Sequence, residues 1–478
     1  MTKDYSKYFT PSLNQARKRR GEKVEIIRFK LGEKYRGVGT GKKYHLKTYG
    51  CQGNLADSER IAGILEAMGF SETLNEMEAD LILFNTCAIR ENAENRVFGE
   101  LGRIQKIKKE KPDLVIGVCG CMPQEEMTVN SLKKRFPNID LIFGTHNIID
   151  LPAYIYDIFV EHRAVVDVWS IEGNIAEEIP VKRDHAKKAW VNIMYGCDEF
   201  CTYCIVPYTR GKERSRLPEE IIKEVQALAD EGYLEVTLLG QNVNAYGKDL
   251  EGRNYGFADL LKDLHKLPIP RIRFTTSHPR DFDDATIEAM ALGGNIMPHL
   301  HLPVQSGNDR VLKKMNRKYT REEYITKMKK LKEAVPGISI TTDFIVAFPS
   351  ETEEEFNDTI SLVHEIQFDG AFTFIFSPRA GTPAASYPNT LTPAEKKDRL
   401  QRLNQVVNHY SLLGNKRFEG QIVEVLVEGF SKTKPDVLTG YTPHNKLVNF
   451  VGDESLIGTI VKVKIEKAFS WHLRGVLV

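Results

Sequence analysis

Short apolar runs and stretches of helical period alternate along most of the chain. At 45–49, 81–85, 114–118 and 141–143 the runs are β-like. Between them Ile61, Ile64, Leu65 and Met68 recur at helical spacing, with Asn54 as the expected N-cap. This alternation over residues 44–162 predicts a small α/β domain with a parallel sheet. Residues 163–182 read as a linker. From 183 to 415 six apolar β runs begin near Trp190, Val236, Ile272, Leu300, Ile338 and Phe372, separated by helical patterns. One helix should start at Pro218, with proline in its first turn, and another at Ser350-Glu-Thr-Glu353, read as a capping box. Six βα repeats predict a partial (β/α)6 barrel, open on one side. A long amphipathic helix over 394–413 leads out of it. Residues 416–478 then alternate at period two, in 421–427 and 459–465, between glycine-marked turns. That pattern predicts a small C-terminal β-barrel of oligonucleotide-binding type.

Composition changes this picture little. The 478 residues carry a net charge of +1, so nothing pulls the whole chain toward nucleic acid or acidic membranes. No apolar stretch approaches a membrane span. Met1-Thr-Lys-Asp-Tyr-Ser6 lacks an apolar signal core, and a cytoplasmic location is expected. Residues 1–43 read as an extension, with the basic run Arg17-Lys-Arg-Arg20 either solvated or touching RNA. In the C-terminal segment Tyr441, His444, Lys446 and Trp471 are the groups expected to be exposed for RNA, against the alternative of a structural cap.

The cysteines carry the chemistry. All seven lie in the first 204 residues, a distribution that suits metal binding better than disulfide stapling in a reducing compartment. Cys197, Cys201 and Cys204 form a C-x3-C-x2-C run directly after the apolar segment Ala189-Trp-Val-Asn-Ile-Met194. Three thiolates are one short of the four that usually close a four-iron cluster, which leaves one iron open. A zinc knuckle or buried free thiols are the other readings, and zinc would want a fourth ligand that no neighbouring Cys or His supplies. Cys51, Cys87 and Cys121 each follow or end one of the first three β runs, 36 residues (51 to 87) and 34 residues (87 to 121) apart. In an open parallel sheet those ends share the edge where ligands bind, so three strands can deliver a second three-thiolate site. Three unrelated buried cysteines are the alternative. Cys119, two residues before Cys121 and expected on the same face, reads first as a buried thiol, with a spare ligand as the alternative.

Taken in order, the motifs Tyr49-Gly-Cys-Gln-Gly-Asn54, Asn85-Thr-Cys-Ala-Ile-Arg-Glu-Asn92, Gly120-Cys-Met122, Tyr195-Gly-Cys through Cys204, Pro207-Tyr-Thr-Arg-Gly-Lys-Glu-Arg-Ser215 and Leu239-Gly-Gln-Asn-Val-Asn244 resemble the methylthiotransferases of the radical S-adenosylmethionine (SAM) enzymes. The resemblance spans nearly everything beyond residue 43 and implies a C-terminal TRAM domain. It implies that Cys197, Cys201 and Cys204 hold a 4Fe-4S cluster that binds and cleaves SAM, and that Cys51, Cys87 and Cys121 hold an auxiliary 4Fe-4S cluster. Tyr203, Gly240, Gln241, Gln305 and Asp343, the last within Asp343-Phe-Ile-Val346, would line the SAM or substrate pocket. The implied reaction is methylthiolation of C2 of N6-(dimethylallyl)adenosine at position 37 of tRNA. One SAM would methylate a sulfur on the auxiliary cluster. A second would yield the radical that removes the inert C2 hydrogen, a task for a cofactor and not for a side chain.

The implied partners are the tRNA anticodon loop and an external electron donor of flavodoxin or ferredoxin type; a monomer is expected. The run from Arg210 to Arg216 could meet phosphates or form a solvated loop. Rival readings are the same chemistry on threonylcarbamoyl-adenosine in tRNA or on a ribosomal-protein aspartate, and a non-enzymatic iron–sulfur or zinc protein that binds RNA. Two residues depart from the family pattern. Gly53 stands where Met is usual, and Ala347 stands where Gly usually opens a Gly-Phe-Pro turn.

Overall fold

A computed structural model describes residues 12–18, 24–88, 91–169, 174–183, 187–432 and 434–478. Arg19 and Arg20 of the basic run, and Ile89 and Arg90 of the second cysteine motif, lie outside the described residues. The chain forms two compact units. The first takes residues 1–184 with 195–200 and 204–214, and the second takes 185–194, 201–203 and 215–478.

The first unit is built on a six-stranded sheet in the order Ser71–Glu72, Lys43–Thr48, Leu81–Thr86, Val115–Gly120, Leu141–Phe143, Val165–Asp167. Every neighbouring pair is parallel. The central strand Leu81–Thr86 is buried along its whole length. Leu81 and Leu83 enter one core cluster, and Ile82 and Phe84 the other. Period-two alternation therefore feeds helices on both faces, which is why these strands read as continuous apolar runs. The N-terminal segment is more than a solvated arm. Ile26–Arg28 pairs in parallel with Ile175–Glu177, and helix Leu13–Lys18 buries Ala16 against Ala88, Cys121, Phe200, Ile205 and Tyr208.

The second unit carries the six barrel strands as two parallel triplets. One runs Arg271–Thr275, Glu235–Leu239, Lys188–Asn192, and the other His299–His301, Ser339–Val346, Gly370–Ile375. An isolated parallel bridge between Ile272 and Ile296 lies between the triplets. The expected helix at Pro218 runs Pro218–Asp230, with proline at its start. The capping box lies two residues later than expected: Thr352 and Glu355 close it, at the head of helix Glu353–Ile366. Helix Pro393–Lys416 has its own box, Thr392 with Glu395.

The C-terminal segment is a closed five-stranded barrel around Val425, Val427, Leu438, Val448, Phe450, Val463 and Leu473. It docks within the second unit. Arg271 Nη1 donates to the Tyr441 carbonyl at 2.9 Å, and Arg273 to the carbonyls of Thr442 and Pro443 at 2.6 and 2.9 Å. Lys446 is buried on Asp369 at 2.9 Å. The Lys188 ammonium lies over the rings of both Trp190 and Tyr441. Lys446, Tyr441 and His444 are thus not the exposed groups the sequence predicted: Lys446 is buried and the other two are half-buried. Trp471 is exposed, at 61%.

Candidate metal centre and cofactor site

Cys51, Cys87 and Cys121 meet at one edge of the first unit's sheet because each lies just past a strand end. Their loops interlock tightly. A Cβ on Gly50 would fall 2.8 Å from the Cys87 Cβ and 2.5 Å from Asn54 Oδ1. Gly120 takes φ +96°, and a Cβ there would lie 2.4 Å from the Thr86 carbonyl. Only glycine fits both places. Asn54 is not the helix cap; Cys51 occupies that place, at the head of helix Gln52–Ala67. Asn54 is instead buried, and its Nδ2 donates to Asn85 Oδ1 and to the Thr86 carbonyl at 3.2 and 3.1 Å. Asn85 Nδ2 answers with bonds to the Asn54 carbonyl and Ser58 Oγ. This buried amide pair braces the Cys51 and Cys87 loops, and each member sits two or three residues from a cysteine.

Cys119 and Cys121 do not share a face. Cys119 packs among Tyr44, Leu81, Leu83 and Leu141, whereas Cys121 joins Ala88, Ile205 and Tyr208. The left-handed turn at Gly120 breaks the period-two rule between them. Burial pushes the Cys119 thiol well up, as an inert core thiol requires. Cys121 is pushed up to about 12, first by burial, with Arg210 opposing and Cys87, Cys51 and Asp57 adding to the rise.

Arg210 is the residue that sequence reasoning misplaced. Neither a phosphate patch nor a solvated loop forms: Arg210, Lys212, Arg214 and Arg216 are all buried. Arg210 Nε donates to Cys121 Sγ at 3.2 Å, and its Nη2 to Asp57 Oδ2 at 2.7 Å. A Cβ on Gly53 would lie 3.6 Å from both Arg210 Nη2 and Cys51 Sγ, an ordinary contact. A Cβ therefore fits at Gly53 without displacing Arg210 or Cys51.

The second cysteine run is set by its backbone. Gly196 takes φ +75°, and a Cβ there would meet the Lys212 carbonyl at 1.9 Å; Phe200 is left-handed at φ +49°. Cys197 N–H donates to the Gly211 carbonyl at 3.0 Å. In the first unit the Tyr208 hydroxyl is buried with no partner among the described residues, and burial and Cys204 push its pKa up. In the second unit Arg317 Nη1 donates to Cys201 Sγ at 3.4 Å. Neutral oxygens hold that guanidinium: Tyr319 Oη at 2.8 Å and the Pro303 carbonyl at 2.6 Å. Arg317 is 116 residues from Cys201 in sequence, beyond the reach of any local motif.

The expected cofactor residues of the second unit collect at strand ends. Gly240 and Gln241 follow Glu235–Leu239, and a Cβ on Gly240 would clash with Met194 Cγ at 2.7 Å. Gln305, left-handed at φ +74°, bridges to the strand Ser339–Val346: its N–H donates to the Asp343 carbonyl, and Ile345 N–H donates to its carbonyl. Tyr203 packs edge-on to Phe348, centroids 6.5 Å apart. Asp343 faces His301 Nε2 at 3.4 Å. Gln305 Oε1, Ser277 Oγ and both side-chain polar atoms of Asn244 are buried with no partner among the described residues. Buried polar atoms are normally paired, so these fit a polar ligand such as SAM. Both thiol sets fit an iron–sulfur cluster in donor chemistry: three cysteines each, and a guanidinium on one sulfur. Among the described residues no three Cys, His, Asp or Glu side chains gather tightly enough for a single metal ion; a four-iron cluster is a larger body than one ion.

Residues 191–363 match the Radical SAM superfamily, residues 43–144 the Uncharacterized protein family UPF0004, and residues 416–478 the TRAM domain. The tRNA-2-methylthio-N(6)-dimethylallyladenosine synthase of Anoxybacillus flavithermus is 57% identical over 483 residues, covering 100% of this chain and 92% of that one. That of Bacillus subtilis is 57% identical over 482 residues, covering 100% and 95%. Among solved structures, the radical S-adenosylmethionine methyltransferase TsrM of Kitasatospora setae aligns with a TM-score of 0.54 at 15% identity, covering 72% of this chain and 77% of that one, a likeness of fold. With relatives this similar over its whole length, two cysteine sets at strand ends and a C-terminal barrel, the chain belongs to the tRNA-2-methylthio-N(6)-dimethylallyladenosine synthase family of radical SAM methylthiotransferases.

Proposed function

We propose that this chain methylthiolates C2 of N6-(dimethylallyl)adenosine at position 37 of tRNA, giving 2-methylthio-N6-(dimethylallyl)adenosine. Cys197, Cys201 and Cys204 hold the SAM-binding 4Fe-4S cluster, and Cys51, Cys87 and Cys121 hold the auxiliary one. Bound there, the clusters and SAM supply the one-electron chemistry and the sulfur that no side chain offers. The observation that carries the reading is the pair of three-cysteine sets within a chain that aligns end to end with named synthases.

The protein's own residues place and shield. The three strand ends hold Cys51, Cys87 and Cys121 at one sheet edge, and the Asn54–Asn85 pair keeps their loops in register. Arg317 offers Cys201 a cationic donor. Gln305 and Asp343, with Tyr203, Gly240 and Gln241, bind SAM or the substrate base. Next to Asp343, Phe372 pairs with it across the ladder and Phe374 pairs with Ile345. Both phenylalanines are exposed, at 60% and 44%. Apolar side chains left open beside an acidic group suit a base that carries a dimethylallyl tail. Trp471, exposed on the C-terminal barrel, offers a ring on which single-stranded RNA can stack. The chain has no helix among its described residues long and apolar enough to cross a membrane. It works in the cytoplasm as a monomer, with a flavodoxin- or ferredoxin-type donor.

The test is nucleoside mass spectrometry of total tRNA from a host without its own methylthiotransferase, expressing this chain or its Cys197→Ala form. The methylthio product should appear only with the intact chain. An unchanged dimethylallyl nucleoside beside another methylthio product would overturn the substrate assignment and leave the chemistry. Cys201→Ala should abolish SAM cleavage. Cys87→Ala should keep some cleavage and lose sulfur insertion; full product from Cys87→Ala would overturn the two-cluster reading.

A further inference from the structure

Cys121 and Cys201 each accept from a buried guanidinium, and the two guanidiniums are neutralised differently. Arg317, on Cys201, is held by a carbonyl and a phenol oxygen. Arg210, on Cys121, is held by the Asp57 carboxylate. Asp57 and Arg210 are both buried, with side chains 5% and 7% exposed. Such a pair is costly to desolvate and is poor evidence for stability alone. Its geometry suggests another use. Arg210 comes from the segment just past Cys204 and reaches across 89 residues of sequence to Cys121, while Asp57 comes from the helix that Cys51 caps.

We propose that the Asp57–Arg210 pair sets the reduction potential of the auxiliary cluster, Arg210 as the donor to Cys121 sulfur and Asp57 as the anion that limits its charge. The inference rests on the reading that Cys51, Cys87 and Cys121 hold that cluster. Reduction adds one electron, and so one negative charge, to a cluster already anionic through its thiolates. Hydrogen bonds to the sulfurs and local charge are among the factors that fix cluster potentials. The guanidinium N–H at 3.2 Å favours the reduced form and raises the potential. Asp57, one guanidinium nitrogen away, partly cancels that charge and lowers it. The pair therefore holds the auxiliary cluster at an intermediate potential. Arg317, by contrast, bonds to a phenol and a carbonyl oxygen and, among the described residues, to no carboxylate, so its charge on Cys201 is not offset in the same way. Each cluster thus has its own setting, as two sites with different tasks require.

The test uses the full-length chain with Cys197, Cys201 and Cys204 all changed to Ala, so that only the auxiliary cluster remains. Iron content comes first: a folded protein with no cluster would sink the ligand assignment itself. With the cluster present, its midpoint potential is followed by redox titration with electron paramagnetic resonance. Asp57→Asn keeps the donor and removes the anion, so the potential should rise. Asp57→Asn with Arg210→Met removes both partners and strands neither, so the potential should fall below that of Asp57→Asn by a clear margin. A pair that acts as a structural strut would give no shift, or shifts of one sign with loss of iron. No rise in Asp57→Asn, or loss of its cluster from folded protein, overturns the proposal. If the double variant alone loses iron, the Asp57→Asn shift decides.

Discussion

At the scale of single residues, Ala347 is the departure with a measurable consequence. It is fully buried and sits at φ +57°, in the left-handed region. Its N–H donates to Glu351 Oε2 at 2.7 Å and its carbonyl accepts from Asn389 Nδ2 at 3.0 Å, so the surroundings hold it there. An L-residue in that region costs about 1–2 kcal/mol, part of which Gly returns through its freer unfolded chain. Ala347→Gly should stabilise the protein by roughly 0.5–1 kcal/mol, read as a higher denaturation midpoint. The same turn holds a pH-sensitive group. Burial pushes Glu351 up to about 7, although the Ala347 N–H and Arg399, 3.0 Å away, act to lower it. A carboxyl raised on folding binds a proton that the unfolded chain has released. Its contribution is therefore full below the unfolded value of 4.5 and is lost as pH rises toward about 7. Thermal midpoints of the native chain should fall more steeply across that window than those of Glu351→Gln. Parallel slopes would show that Glu351 titrates normally.

At the scale of elements, the strand ends organise the auxiliary site, and Gly120 is where that organisation is tested. A Cβ there would clash with Asn85 Oδ1 and also with the Thr86 carbonyl and amide, backbone atoms of the neighbouring strand that cannot turn away. Cys121 N–H also donates to that carbonyl at 2.8 Å. If Cys121 holds the auxiliary cluster as proposed, Gly120→Ala should displace it and lower bound iron from about eight to about four atoms per chain, with SAM cleavage retained. Iron analysis and cleavage assays check this together. The same strands show what the sequence made legible. One cysteine per βα unit at a sheet edge could be read because strand ends and cysteine spacing are local signals. The barrel strands could be read for the same reason. Cys119 and Cys121 were harder: alternation predicts one face, and a single left-handed glycine undoes it. Asn54 looked like a cap because caps favour Asn, yet the buried partner Asn85, 31 residues away, draws it into the sheet edge. Arg210 and Arg317 were invisible as sulfur donors, since nothing local tells a buried guanidinium from a basic loop.

At the scale of the molecule, the docking of the C-terminal barrel explains why its basic groups could not be read from composition. Arg271, Arg273, Lys188 and Lys446 are spent inside the second unit, on carbonyls and carboxylates, so a balanced net charge hides a polar seam. Arg273 is the centre of that seam. Its Nε lies 2.9 Å from Glu235 Oε2, itself 1% exposed, and its other nitrogens hold the Thr442 and Pro443 carbonyls. Arg273→Met would leave two carbonyls short of a donor and a buried carboxylate with Lys188 at 3.6 Å as its nearer remaining cation. Breaking a buried pair from one side costs about 3–5 kcal/mol. The loss should fall on the seam, because the six barrel strands keep their own core. The expected result is faster hydrogen exchange and proteolysis over 416–478, weaker tRNA binding, and SAM cleavage without tRNA little changed. Trp471→Ala serves as the comparison, since it removes an exposed ring and leaves the seam intact. It should weaken tRNA binding by about 1–3 kcal/mol if one base stacks there, with no change in protease sensitivity. Equal proteolysis in both variants would show that the seam does not hold the barrel, and unchanged tRNA affinity in Trp471→Ala would move the RNA contact to another face.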